Sequence, residues 1–286
     1  MCIRDRQCTP PKTQLLKWVG NKQKFAVEIV KHFPHSYNFF YEPFLGSGAI
    51  LATVAPSNGM GSDIFTPLMD IWNKLSLDPE GLVEWYKERR NLMEQIGKAE
   101  AYNVIRASYN ANPNGADFLY LSRACYGGVI RFRKSDGFMS TPCGVHTPIS
   151  IGSFEKRVKE WNSRLKNVRF EKLDYKDVFS MAQRNDFIYC DPPYSHSQSI
   201  LYGAQSFQLE ELFNEIDKAK ARGVKVALSI DGKKKSGQYV CDLPIPPNLF
   251  EKEMYINCGG SMLKRFQLEG ENLENENVLD RLLLTY

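Results

Sequence analysis

Residues 186–194 are Asp186-Phe187-Ile188-Tyr189-Cys190-Asp191-Pro192-Pro193-Tyr194, and this stretch decides the fold. Its first half has the pattern of a buried strand, so the Asp-Pro-Pro-Tyr segment follows at the strand's carboxyl end. Ligands bind at that end of the strands in open α/β sheets, which predicts a site there. The alternative is a turn that ends the strand and that the aspartate caps.

The segment Asp191–Tyr194 offers two hydrogen-bond acceptors beside an aromatic ring. The carboxylate of Asp191 accepts hydrogen bonds, and the carbonyl of Pro192 is a second acceptor on a backbone that the prolines fix. The ring of Tyr194 offers a flat face for stacking. These features suit a planar ring bound by an exocyclic amino group, and the tetrapeptide resembles the motif of amino-methyltransferases, most often those acting on adenine N6. The candidate catalytic residues are therefore Asp191, Pro192, Pro193 and Tyr194.

The composition predicts a globular α/β protein in a reducing compartment. The 286 residues fit one large domain, or one domain with a smaller insertion. We expect no signal peptide, no membrane association and a cytoplasmic location. The seven scattered cysteines argue against disulfides and a zinc site, and no metal is expected. The net charge of +4 permits a polyanionic partner without requiring one.

A glycine turn follows the first predicted strand. The aromatic strand Phe39–Glu42 leads into Gly46-Ser47-Gly48 and then a helix, so the backbone can approach a ligand closely there. A third glycine is absent, which excludes the dinucleotide fingerprint. Asp63 follows about 15–20 residues later, where Rossmann-like sites bind ribose hydroxyls. The segment Ser57–Ser62 just before it has a poor composition for a strand.

The middle of the chain is mainly helical and carries a basic hairpin. Helical patterns occur at Glu80–Ile96, Ala99–Tyr109 and Ala116–Tyr126, and alternation around residues 135–137 predicts a β-hairpin. The most basic patch of the chain combines four cations with aromatic residues, and these cations are Arg123, Arg131, Arg133 and Lys134. Such a mixture fits nucleic-acid contact, and the alternative is a solvated face.

The α/β pattern resumes after residue 167. Strands are predicted at Val168–Leu173 and Val224–Ile230, with a helix at Leu209–Ala221 between them. A polar, mobile loop is expected at Ser195–Ser206, and Lys233–Lys235 either contacts phosphate or is solvated. Antiparallel edge strands are predicted in the tail, at Phe250–Cys258, Ser261–Phe266 and Val278–Tyr286.

Four segments in one order resemble the Dam-like, D12 class of site-specific DNA adenine-N6 methyltransferases. The segments are Leu16–Lys22, Glu42–Gly48, Arg131–Pro142 and Asp191–Tyr194. The resemblance implies a Rossmann-like, S-adenosylmethionine-dependent methyltransferase sheet, formed by residues 12–74 and 168–286. It also implies an inserted, mainly helical target-recognition domain with a β-hairpin at residues 75–167. Residues 1–11 are expected to be a disordered lead or an artefact.

The resemblance also implies roles for individual residues. The implied S-adenosylmethionine contacts are Trp18, Lys22, Glu42, Phe44, Gly46, Gly48, Asp63, Asp174, Tyr175 and Asp191. The implied DNA contacts are Lys17, Arg123, Arg131, Arg133, Lys134 and Pro142. Asn21 stands where a second glycine is common, and Gly127-Gly128 replaces a more usual Asn-Gly. These departures leave methyl transfer in place and bear on which DNA sequence is recognised.

The expected function is methyl transfer from S-adenosylmethionine to N6 of an adenine flipped out of a specific double-stranded DNA sequence. We expect a monomer, and a restriction endonuclease encoded nearby is a further candidate partner. An RNA adenine-N6 methyltransferase, a non-catalytic DNA-binding protein of the same fold and a nicotinamide dehydrogenase are the alternatives.

Overall fold

A mixed β-sheet forms the centre of the computed structural model, which describes residues 8–193, 207–234, 239–240, 243–260 and 277–286. Predictions made for Tyr194, the Ser195–Ser206 loop, the side chains of Lys233–Lys235 and the Ser261–Phe266 strand lie outside the described residues. The strands are β1 (Phe40–Glu42), β2 (Gly59–Ser62), β3 (Val168–Glu171), β4 (Phe187–Cys190), β5 (Lys225–Lys234), β6 (Tyr239–Val240), β7 (Lys252–Gly260) and β8 (Asn277–Leu284).

Five strands are parallel and lie in the order β3–β2–β1–β4–β5. Strand β8 pairs antiparallel with β5, β7 pairs antiparallel with β8, and the short β6 pairs with the end of β5. This is the predicted Rossmann-like sheet with antiparallel strands at one side. The strand order reverses between β1 and β4, and ligands bind above such a switch point.

Helices cover both faces of the sheet and fill the middle of the chain. They are α1 (Ala26–Val30), α2 (Ala49–Val54), α3 (Thr66–Leu77), α4 (Pro79–Ile96), α5 (Lys98–Ala111), α6 (Gly115–Ala124), α7 (Ile151–Leu165), α8 (Tyr175–Met181) and α9 (Leu209–Ala221). The predicted helices correspond to α2, α4, α5, α6 and α9. Helices α3 and α7 were not predicted, and their tryptophans Trp72 and Trp161 pack together in the core, with ring centroids 5.6 Å apart.

Strand β2 forms despite its glycines because it is an inner strand with little space around it. A Cβ atom on Gly59 would lie 2.7 Å from Pro56 Cγ, and one on Gly61 would lie 2.8 Å from Leu45 Cδ1. The strand pairs with β1 on one edge and with β3 on the other. The poor composition of this segment therefore reflects close packing on the sheet, and it places Asp63 directly after a buried strand.

The predicted hairpin is present and short. Phe132 and Met139 form an antiparallel bridge, and the Arg133 N–H donates to the Phe138 carbonyl at 2.9 Å. Gly137 adopts φ +68°, a conformation that favours glycine in the turn. At the base, Cys125 lies opposite Cys143 in a second bridge.

Residues 9–11, part of the expected lead, pack against the helical part of the chain. Arg164 on α7 donates to the Thr9 carbonyl at 2.6 Å, and Gln23 donates to the Pro11 carbonyl. These bonds hold the proline-rich segment against the helix. Of the helices that the structure describes, none has both the length and the hydropathy for a membrane crossing.

Candidate active site

A cavity of about 420 Å³ lies at the carboxyl ends of the first four parallel strands. Its walls include nine of the ten predicted cofactor residues, which are Trp18, Lys22, Glu42, Phe44, Gly46, Asp63, Asp174, Tyr175 and Asp191. The tenth, Gly48, lies behind the wall at the N-cap of α2, with φ +60°. There its hydrogen atoms face Trp72, because a Cβ would meet the Trp72 ring at 2.8 Å.

The carboxylate of Asp63 is positioned by backbone donors after β2. It accepts from the N–H of Gly46 at 3.3 Å and from the N–H of Phe65 at 3.1 Å. Burial raises its pKa to about 6, and the backbone hydrogen bonds only partly offset that shift. An acceptor pair fixed in this way can receive hydrogen bonds from two neighbouring hydroxyl groups.

Glu42, the last residue of β1, is a buried acid in the cavity wall. Its Oε2 atom has no hydrogen-bond partner within the part of the chain that the structure describes. Burial, and next the charge of Asp191, raise the pKa of the Glu42 carboxyl well above its usual range. A buried acceptor in a cavity wall is therefore available to a cationic or amino donor.

Three aromatic rings form another wall. Phe44 and Tyr175 stack with centroids 5.2 Å apart, and Phe207 meets them edge-on at 5.7 and 5.9 Å. Phe207 was not predicted, although it is the first apolar residue after the polar loop. Lys176 and Glu211, also not predicted, form an ion pair of 2.6 Å among the lining residues. The three rings suit a planar aromatic ligand.

Asp191 follows β4 and is paired with Lys22 at 2.8 Å. The side chain of Lys22 is only 5% exposed, so this ion pair lies in a largely desolvated site. Pro193 lines the main cavity and also an adjoining cavity of about 20 Å³, which Pro192, Ile230 and Asp231 line as well. Asp191 and Pro193 thus border the cofactor-sized space, and Pro192 faces the smaller one.

Most of the predicted DNA-binding residues share one exposed region. The side chains of Arg131, Arg133, Lys134 and Pro142 are exposed on and beside the hairpin. Arg133 forms an ion pair with Asp136, and its guanidinium carbon lies 4.3 Å from the centroid of the Phe138 ring. Lys17 is also exposed. It lies close to the start of the hairpin, because a Cβ atom built on Gly128 would be 3.6 Å from the Cβ atom of Lys17.

Arg123 is placed differently from the other cations. Its guanidinium is directed inward and donates to the carbonyls of Leu15 at 2.7 Å and Gln14 at 3.4 Å. Burial, and next the charge of Arg157, lower its pKa to about 10. This geometry ties α6 to the N-terminal segment and separates Arg123 from the basic surface of the hairpin.

Several known proteins are similar to this chain in sequence. A DNA adenine methylase of Vibrio cholerae is 26% identical over 226 residues, which cover 75% of this chain and 79% of that protein. The retron Ec67 DNA adenine methylase of Escherichia coli is 30% identical over 186 residues, 63% of each chain. The type II methyltransferase M.MjaIII of Methanocaldococcus jannaschii is 26% identical over 243 residues, covering 75% of this chain and 82% of its own.

The sequence model of one protein family, the D12 class N6 adenine-specific DNA methyltransferases, matches residues 18–249 of this chain. This span includes the glycine turn, the hairpin and the Asp-Pro-Pro-Tyr segment. The chain therefore belongs to the D12 class of N6 adenine-specific DNA methyltransferases.

Proposed function

We propose that the cavity binds S-adenosylmethionine and that Asp191 and Pro192 hold the N6 amino group of an adenine flipped out of DNA. The observation that carries this proposal is the convergence of Glu42, Asp63 and Asp191 on one cavity, each at the end of a different parallel strand. In these positions, Glu42 would bind the amino group of the cofactor, Asp63 its ribose and Asp191 the target base, each at a separate point of the cavity.

The residues present fit the cofactor. The buried Oε2 atom of Glu42 would accept from the amino group of the methionine part, and Asp63 would accept from the ribose hydroxyls. Phe44, Tyr175 and Phe207 would enclose the cofactor's adenine ring. When bound, S-adenosylmethionine supplies an electrophilic methyl group on its sulfonium centre.

Asp191 would act by accepting hydrogen bonds from the target amino group together with the Pro192 carbonyl. The lone pair of adenine N6 is delocalised into the ring, and two acceptors on its N–H groups favour a pyramidal nitrogen with a directed lone pair. The Asp191 carboxylate stabilises the positive charge that develops on N6. Tyr194, which lies outside the described residues, would stack on the flipped ring by its position in the sequence.

Residues 75–167 would form the target-recognition domain. The exposed cations of the hairpin and Lys17 would contact the DNA backbone and base edges. Helices α3 and α7 contact both the sheet side and the inserted helices, which would transmit the position of the hairpin to the cavity. We further propose a cytoplasmic monomer, with or without a partner restriction endonuclease.

The decisive experiment is a nucleoside mass analysis of unmethylated plasmid DNA incubated with the protein and S-adenosylmethionine. We expect N6-methyladenine with the wild type and a loss of at least about 100-fold with Asp191→Ala, while DNA binding is retained. If the protein methylates RNA and not DNA, the proposed DNA substrate is wrong. If Asp191→Ala methylates DNA as fast as the wild type, the proposed role of Asp191 is wrong.

A further inference from the structure

One buried ammonium group is shared by two carboxylates at the centre of the site. Lys22 Nζ lies 2.8 Å from Asp191 Oδ1 and 3.4 Å from Asp280 Oδ2, and it donates to the Gly20 carbonyl at 3.3 Å. The side chains of Lys22, Asp191 and Asp280 are 5%, 18% and 8% exposed. At such burial the division of one positive charge between two acids has a strong influence on each of them.

Asp280 reaches this place from a distant part of the chain. It lies on β8, in register with Asp231 on β5 and with Ile256 on β7, two strands away from β4. It also lies outside residues 18–249, the segment that the family match covers. Burial, and next the charges of Asp191, Glu42 and Asp280, raise the pKa of the Tyr189 hydroxyl well above its usual range.

The shared ammonium has a consequence for the target amino group. An Asp191 carboxylate that pairs alone with Lys22 has less negative charge to offer to the N–H groups and to the charge developing on N6. A second acid that holds part of the ammonium leaves more of that charge on Asp191. The position of Lys22 between two acids therefore bears directly on methyl transfer.

We propose that Asp280 is a positioning residue for the reaction: it shares the Lys22 ammonium with Asp191, so that Asp191 keeps more of the charge that the adenine amino group requires. This inference rests on the proposed function of Asp191. Asp280 itself touches neither substrate in this scheme and acts through Lys22.

Asp280→Asn tests the proposal in single-turnover methyl transfer on duplex DNA. We expect the rate at saturation to fall about tenfold, because Lys22 then pairs fully with Asp191, while the affinities for DNA and S-adenosylmethionine change less than about twofold. Asp186→Asn is the matched control, since Asp186 is a buried aspartate that directly precedes β4 and lies at the opposite end of that strand from Asp191. An unchanged rate, or a loss confined to either affinity, overturns the proposal.

A double-mutant cycle with Lys22→Gln separates this role from a structural one. If Asp280 acts through Lys22, the double variant and Lys22→Gln have rates within about twofold of each other. If Asp280→Asn lowers the rate equally in both backgrounds, the proposal is wrong. If Asp280→Asn alone does not fold, a rate of the double variant that differs from that of Lys22→Gln still refutes the proposal, because the double variant removes one buried charge of each sign.

The same assay keeps the two proposals apart. Transfer by the wild type and its loss in Asp191→Ala test the proposed function, whatever happens at residue 280. If Asp191→Ala loses methyl transfer as expected but Asp280→Asn keeps the wild-type rate, only the proposed positioning role of Asp280 is wrong.

Discussion

The indole of Trp18 lies directly against Gly46. A Cβ atom built on Gly46 would meet Trp18 Nε1 at 2.7 Å, and the glycine adopts φ +46°, where side chains are strained. The N–H of the same glycine donates to Asp63, and its carbonyl accepts from Trp72 at 3.2 Å. One residue thus fixes the wall of the cavity, the acid after β2 and the tryptophan beneath the turn.

Gly46→Ala is expected to weaken S-adenosylmethionine binding by at least about tenfold and to lower the free energy of unfolding by about 1–3 kcal/mol. The added methyl group displaces Trp18 and disturbs the hydrogen bond to Asp63. Calorimetric titration and thermal unfolding measure the two effects. Gly97→Ala is the control, because Gly97 has φ +87° but a Cβ added to it would meet no atom within 4 Å. Equal losses of affinity in both variants would contradict the role of Gly46.

The pH dependence of cofactor binding should report the titration of Asp63. Its pKa is about 6 in the folded protein, and the ionised form is the better acceptor for ribose hydroxyls. Affinity for S-adenosylmethionine is therefore expected to be constant above pH 7 and to fall by up to about tenfold per unit below pH 6. Asp63→Asn should bind weakly and lose this part of the pH dependence. A wild-type affinity that does not change between pH 7 and pH 5 would exclude Asp63 from the binding site.

The same titration affects stability in the opposite direction. The folded pKa of Asp63 lies above the value of 3.8 for an unperturbed aspartate, so the folded state binds the proton more tightly than the unfolded state. The ionised carboxyl thus opposes folding above pH 6, and this opposition disappears as the pH falls below 4. The unfolding free energy of the wild type, measured relative to Asp63→Asn, should rise as the pH is lowered across that interval.

Arg131→Ala is expected to reduce DNA affinity. It should also make the negative slope of log K against log salt concentration less steep by about 1, since one phosphate contact is lost. Arg131 is exposed beside the hairpin, where its backbone pairs with Ser140. Fluorescence anisotropy at several salt concentrations measures the slope. Unchanged affinity, slope and sequence choice would show that the hairpin is a solvated face.

Arg123→Met is expected to act on stability instead. The guanidinium donates hydrogen bonds to two backbone carbonyls. Loss of these two hydrogen bonds should lower the free energy of unfolding by about 2–3 kcal/mol. The salt slope of DNA binding should stay at the wild-type value. A stable variant with a reduced slope would place Arg123 at the DNA after all.

The resemblance drawn from the sequence is confirmed by the family match, and the apolar strands β4 and β5 were predictable from their own residues. Strand β2 was harder, because its glycines are explained only by Pro56 and Leu45, which pack on it. Composition also could not show that Arg123 turns inward while Arg131 turns outward. The direction of a side chain depends on what its helix or strand packs against.

The site shows the same division. Residues within recognisable motifs, such as Glu42 and Asp191, were predicted to be at the site and do line the cavity. Phe207 and Asp280 have no motif around them, and they join the site through contacts that span most of the chain. Such long-range contacts follow from the strand order, which local patterns do not specify.

The position of β8 has a consequence for synthesis on the ribosome. Strand β8 is made after β7, yet it lies between β5 and β7, and β7 pairs with no other strand in the described part of the chain. A nascent chain that already exposes the Asp-Pro-Pro-Tyr segment must therefore wait for β8 before this side of the sheet can close and Asp280 can reach Lys22. Because domains generally fold as units, we expect the ability to modify DNA only after β8 has been made, and not gradually as the earlier strands are made.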